Sequence, residues 1–154
     1  MDWARKATGS AVVITNPRGE VLVMRRAYPP HDWVLPGGAA EAGESPIGTA
    51  TREVFEEMGL HIRPDRLTGV YYQADHRAGE FIHLVFACRI DGPAGIRADP
   101  VEVAEFGFFG RENLPAPMSP STRRRLLDGL EPEAQRLPVD LPPRAEPWGA
   151  PEPL

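Results

Sequence analysis

Glu53, Glu56 and Glu57 stand three and four positions apart, directly after Arg52 and downstream of Glu44 and a Gly37-Gly38 pair. On a helix turning about 100° per residue, the three glutamates share one arc of about 100°. Ile47, Ala50, Val54 and Met58 gather on a different face, so the segment reads as an amphipathic helix with a carboxylate side. Like charges three and four apart repel and weaken an isolated helix, so something must compensate. Hard divalent cations such as Mg²⁺ and Mn²⁺ prefer oxygen ligands, and clustered carboxylates that leave positions for water and phosphate oxygens suit them. A solvated acidic helix face is the alternative. The glycine pair lets backbone approach a phosphate chain closely, because no Cβ intervenes. Both features point to phosphoryl chemistry.

The elements that must hold these residues are legible around them. Ser45 is a good N-cap, Pro46 suits the first helical position and Gly59 the position past the end, so a helix is predicted between them. Ser119-Pro120 opens a second helix running to about Leu130. Val12-Val13-Ile14 and Val21 to Met24 are β-rich runs around the turn formers Asn16-Pro17-Arg18-Gly19, which predicts a hairpin. Leu67 to Gln73 and Phe81 to Ile90 make a second strand pair, and Glu105 to Phe109 a further strand. From Pro132 to Leu154 seven of 23 residues are proline and apolar periodicity is absent. That segment cannot form a helix or a central strand, and an extended, surface-draped tail is expected, with docking on a partner subunit as the alternative. Two units follow: residues 1–131, a folded domain, and 132–154, a proline-rich tail whose removal should leave catalysis largely unchanged.

The 154 residues, 42% hydrophobic and 25% charged, fit one globular domain with its own core. With 17 basic against 22 acidic residues the net charge is -5, which argues against a surface that coats nucleic acid. Arg123-Arg124-Arg125 reads accordingly as a solvated helix face. Cys88 is the sole cysteine and sits among apolar neighbours, as a small buried residue would. No apolar run approaches the roughly 20 residues needed to span a bilayer, and the first residues lack the apolar segment of a secretory signal. A cytoplasmic protein without membrane or nucleic-acid partners is expected.

Gly38, five residues, Glu44, seven residues, Arg52-Glu53-Val54, one residue, Glu56-Glu57, one residue, Gly59-Leu60 resembles the Nudix box without a departure. Trp33 to Gly37 is similar to the family's approach to the box, and Glu102 to Pro115 to its late strand and loop. The resemblance spans roughly residues 8 to 130. It implies an α+β Nudix fold, a mixed β-sheet sandwiched between helices, and hydrolysis of nucleoside diphosphates linked to another moiety, X. By the same resemblance Glu53, Glu56 and Glu57 would bind Mg²⁺ or Mn²⁺, with the Gly38 carbonyl as a possible further ligand. Arg52 would pair with Glu44 and orient the catalytic carboxylates, and Gly59 would end the helix. Attack of water on phosphorus would follow, the metal polarising the phosphoryl oxygens.

Outside the box, Glu102 is a candidate further carboxylate for the metal, against a reading as a surface residue. Arg25 and Arg26 end the second strand near the presumed cleft, and one of them could hold a phosphate. Tyr28, Trp33 and Phe109 could stack on a base or belong to the core. His76 and His83 lack metal-ligand spacing and read as structural or surface. The substrate expected is a small nucleotide and a homodimer is possible. Alternatives are hydrolysis of non-canonical nucleoside triphosphates and a non-catalytic nucleotide-binding module; the complete set of box carboxylates discriminates in favour of catalysis.

Overall fold

A computed structural model describes residues 1–131 and 137–142. The elements in chain order are β1 (Ala7–Thr15), β2 (Val21–Arg26), β3 (Trp33–Val34), β4 (Gly37–Ala39), α1 (Pro46–Met58), β5 (Arg66–His76), β6 (Gly79–Arg89), β7 (Val103–Phe109), α2 (Pro120–Leu130) and β8 (Val139–Asp140). They form one mixed sheet of order β3-β2-β1-β6-β5-β8, with β4 paired to β1 and β7 to β2 off that path. β1 and β6 run parallel from Ala7↔Phe81 to Thr15↔Arg89, while the β1–β2, β1–β4, β2–β7 and β5–β6 pairs are antiparallel.

The continuous apolar runs in β1 and β2 have a simple cause: both faces of the sheet are covered. Alternate residues point to opposite sides. Val12, Ile14, Leu22 and Met24 pack with Ala50, Val54 and Met58 of α1, while Val13, Val21 and Val23 pack with Leu126 of α2 and Tyr71 of β5. The central strands are thus held from two cores at once. Ile47 departs from the apolar face expected for α1 and is 53% exposed. It lies in the first helical turn, and the residues buried there are Thr49 and Ala50 instead.

The expected hairpins form, and the β5–β6 pair extends to His76↔Gly79, so its connection is shorter than the interval between Gln73 and Phe81. Three short strands were not foreseen: β3, β4 and β8 have two or three residues each, too few for alternation to show. β8 changes the reading of the tail. Val139–Asp140 pairs parallel with Tyr71–Tyr72 at the sheet edge, and Leu141 is buried in the core with Leu126 and Tyr71. Leu137 to Pro142 therefore includes a docked segment, and the remainder of 132–154 lies outside the described residues. Among the described residues no helix is long and apolar enough to cross a membrane.

Close packing of α2 on β1 relies on Gly129, where an added Cβ would overlap the Val13 side chain. Gly129→Ala should therefore destabilise the fold by about 1–3 kcal/mol despite alanine's better helix propensity. Thermal denaturation checks this, and an unchanged or raised Tm would show that Val13 yields freely.

Candidate active site

Helix α1 is fixed at both ends before any of its glutamates acts. The Ser45 hydroxyl accepts from the Gly48 amide at 3.0 Å, and Ser10 Oγ donates to the Pro46 carbonyl at 2.7 Å, which ties the helix start to β1. At the other end Gly59 is left-handed with φ 66° and donates to Phe55 O at 2.8 Å. The Asp99 and Arg97 amides bond the carbonyls of Glu57 at 2.9 Å and Met58 at 2.8 Å, so the loop leading to Glu102 closes over the last turn.

Arg52 is the hub of the carboxylate face. Its Nε and Nη2 donate to the two oxygens of Glu44 at 2.7 and 3.0 Å, a bidentate grip. Nη1 reaches Glu53 at 2.8 Å and Glu56 at 3.1 Å, and Nη2 also donates to the Ala39 carbonyl at 3.0 Å. Glu44 in addition accepts from the Glu41 amide and the Thr49 hydroxyl. These donors, Arg52 foremost, hold its carboxyl down at about 2.

Glu57 is the opposite case. It is 6% exposed and accepts from the Gly37 amide at 2.9 Å. Burial pushes its pKa up to about 9 against that bond, and the charges of Glu53, Glu102 and Glu56 push the same way. Burial also raises Glu53, although Arg52 opposes it. An added Cβ on Gly38 would stand 2.5 Å from Glu53 Cδ, so only glycine lets that carboxylate lie against the β4 backbone. Among the described residues no three acidic, imidazole or thiol side chains converge as a ready cage. The reason is visible: Arg52 draws Glu53 and Glu56 to itself, while Gly37 holds Glu57.

A cavity of about 370 Å³ adjoins this face, with Gly37, Gly38 and Glu57 in its wall. Arg26 and Tyr28 line it as well, and Arg26 lies 5.6 Å from the Tyr28 ring centre. Arg25 turns elsewhere: it bonds Glu105 at 3.2 Å across the β2–β7 ladder and does not line the cavity. Trp33 is 5% exposed and packs edge-on against Phe109 with ring centres 5.4 Å apart, so the structure gives it to the core. Glu102 sits close enough to Glu57 for its charge to be felt there.

Sequence reading passed over several cavity residues. Asp32, 3% exposed, accepts from Arg26 Nε at 2.7 Å and aims that guanidinium. Its signal is an acid six positions after an arginine, which no periodicity marks. His76 and His83, expected to be structural or surface residues, both line the cavity and cluster with Phe81, their ring centres 4.2 and 4.5 Å from its own and 5.9 Å from each other. Arg125 Nη1 lies 3.2 Å from His83 Nδ1, and Gln73 Oε1 lies 3.2 Å from His83 Nε2. Because a guanidinium only donates, Arg125 makes Nδ1 the accepting nitrogen of His83 and leaves Nε2 to face Gln73 Oε1.

This arrangement, a charge-burdened carboxylate cluster beside glycine backbone and a ring-lined cavity, has a match across most of the chain: residues 5–130 fit the NUDIX domain. The chain belongs to the Nudix family. Nudix proteins are hydrolases acting on phosphoric anhydride bonds, and they use divalent cations. A MutT-like protein of Streptomyces ambofaciens is 33% identical over 121 residues, covering 79% of this chain and 75% of its own. Solved structures show the same fold. A Nudix hydrolase from Nitrosomonas europaea superposes with a TM-score of 0.75 at 19% identity, covering 91% of this chain and 81% of its own. A UDP-X diphosphatase gives 0.72 at 22% identity, covering 91% and 70%.

The Glu57 proton has a measurable consequence. Its carboxyl is held near 9 in the fold and returns to about 4.5 in the unfolded chain, so folding takes up a proton between those values. In chelator, stability should fall as pH rises from about 5 to about 9, and Glu57→Gln should flatten that slope. Chemical denaturation across this range tests it, and equal slopes for wild type and variant would place the proton elsewhere.

Proposed function

We propose that this Nudix protein is a Mg²⁺- or Mn²⁺-dependent pyrophosphohydrolase of small nucleotides, cleaving a nucleoside diphosphate linked to another moiety. The observation that carries the reading is the shared cavity: Glu57 and the glycine backbone stand in the same wall as the Phe81 ring and its flanking histidines. One end suits a charged phosphate chain. The other suits a flat heteroaromatic ring.

The donor set fits a hard divalent cation. Glu53, Glu56, Glu57 and Glu102 are oxygen donors, and burial together with the charges of its carboxylate neighbours raises Glu57, which a divalent cation would offset. Those four, with the Gly38 carbonyl, are the residues that would hold the ion. When bound, it supplies neutralisation of phosphoryl charge and acidification of water.

The chain's own groups do the rest. Arg52, locked to Glu44, keeps Glu53 and Glu56 facing the substrate side of α1. Arg26, steadied by the buried Asp32, offers a fixed guanidinium to a phosphate oxygen in the cavity. The Gly37 amide holds Glu57 in place for proton transfer or ligation. A second reading, hydrolysis of a nucleoside triphosphate, draws on the similarity to a putative 8-oxo-dGTP diphosphatase of Bacillus subtilis, 32% identical over 120 residues, and would use the same residues.

Incubating the purified protein with a nucleotide panel and Mg²⁺ or Mn²⁺, with products resolved by chromatography, tests the proposal. A nucleoside diphosphate linked to a second group should give a monophosphate, and no cleavage of any member would refute it. Glu56→Gln or Glu57→Gln should lower kcat about 100-fold or more with the fold retained. Retention of wild-type kcat at saturating Mg²⁺ would rule out that glutamate as a ligand. Mg²⁺ should also raise the Tm of the wild type, but not that of a variant lacking Glu53, Glu56 and Glu57.

A further inference from the structure

The NUDIX match ends at residue 130, yet the cavity does not. Beyond the match, β8 adds to the free edge of β5, and the Leu141 amide donates to the Tyr72 carbonyl at 2.8 Å. Leu141 is 9% exposed and packs in the core with Tyr71 and Leu126. The next residue, Pro142, stands in the cavity wall together with Ser121 and Arg125 of α2.

The placement decides what Pro142 can touch. β8 lies three strand spacings from β1 in the sheet order, about 14 Å across, whereas Gly38 is paired directly with β1 at Ser10. Pro142 therefore belongs to the end of the cavity remote from the carboxylates. Its ring is stiff and it has no amide proton, so it offers a shaped apolar wall. One buried leucine and a two-residue ladder hold that wall in place.

We propose that Leu141–Pro142 completes the substrate cavity and selects for the nucleoside end of the ligand, Pro142 as a contacting residue and Leu141 as a positioning residue. This rests on the nucleotide reading above. It makes the shape of the remote subsite a property of the chain beyond the family's own domain, and it leaves the phosphate end to the box.

Binding to the full-length protein, measured calorimetrically with Mg²⁺ for GDP, UDP and ADP on one hand and inorganic pyrophosphate on the other, separates the two ends. Pro142→Gly and Leu141→Ala should weaken at least one nucleoside diphosphate about tenfold while pyrophosphate stays within about twofold. Pro142→Trp, which fills the space, should weaken nucleoside diphosphates likewise. Pro142 is exposed at its own surface, so its variants keep the test valid should Leu141→Ala fail to fold. A wild type that binds both classes, with Pro142 variants that lose neither or lose both in parallel, overturns the inference alone. A wild type that binds no nucleoside diphosphate overturns the nucleotide reading and the inference with it.

Discussion

Arg52 holds together groups that would otherwise drive one another apart. Its guanidinium meets Glu44, Glu53, Glu56 and the Ala39 carbonyl, so one side chain ties the loop before α1, the helix itself and the end of β4. Five fixed donors make this possible, and a lysine could not reproduce the planar fork. With that hub in place, acidic residues three and four apart can share a helix face without melting it. The rest of the site follows from it: Gly38 is free of a side chain so that Glu53 can stay near the hub, and Glu57 is pushed inward against Gly37.

The two carboxylates at the extremes of this cluster are tuned by opposite environments. Glu44, surrounded by donors, is held ionised to about 2, whereas Glu57, buried and facing like charges, is raised to about 9. One fixes geometry, and the other is disfavoured as a bare anion by burial and by its carboxylate neighbours. Such a division of labour between neighbouring groups of one chemical type needs only a difference in burial and partners.

Much of this was legible beforehand because it is written in local chemistry. Ser45, Pro46 and Gly59 mark α1 by capping physics, and the box spacing puts the glutamates on one face whatever the rest of the chain does. The apolar runs in β1 and β2, with turn formers between them, marked a hairpin. What escaped depends on tertiary context. Strands of two or three residues carry no period, so β3, β4 and β8 appear only when a neighbour's edge is there to pair with. Trp33 and Tyr28, five positions apart, went to core and cavity by the path of the loop between them. His76 and His83 gained their place from Phe81 and Arg125, and Leu141 from a gap between α2 and β5, none of which a linear pattern records.

The parallel pairing of β1 with β6 also bears on how the chain reaches this state. Ala7 finds its partner in Phe81, so the strand at the centre of the sheet is synthesised 74 residues before its parallel neighbour and must wait for it to emerge from the ribosome. Such long-range pairing slows the search, and until β6 arrives the Val12-Val13-Ile14 run can be covered only by elements already made, β2, β4 and α1. The element that anchors both cores when folded thus keeps one edge open while the chain is being made.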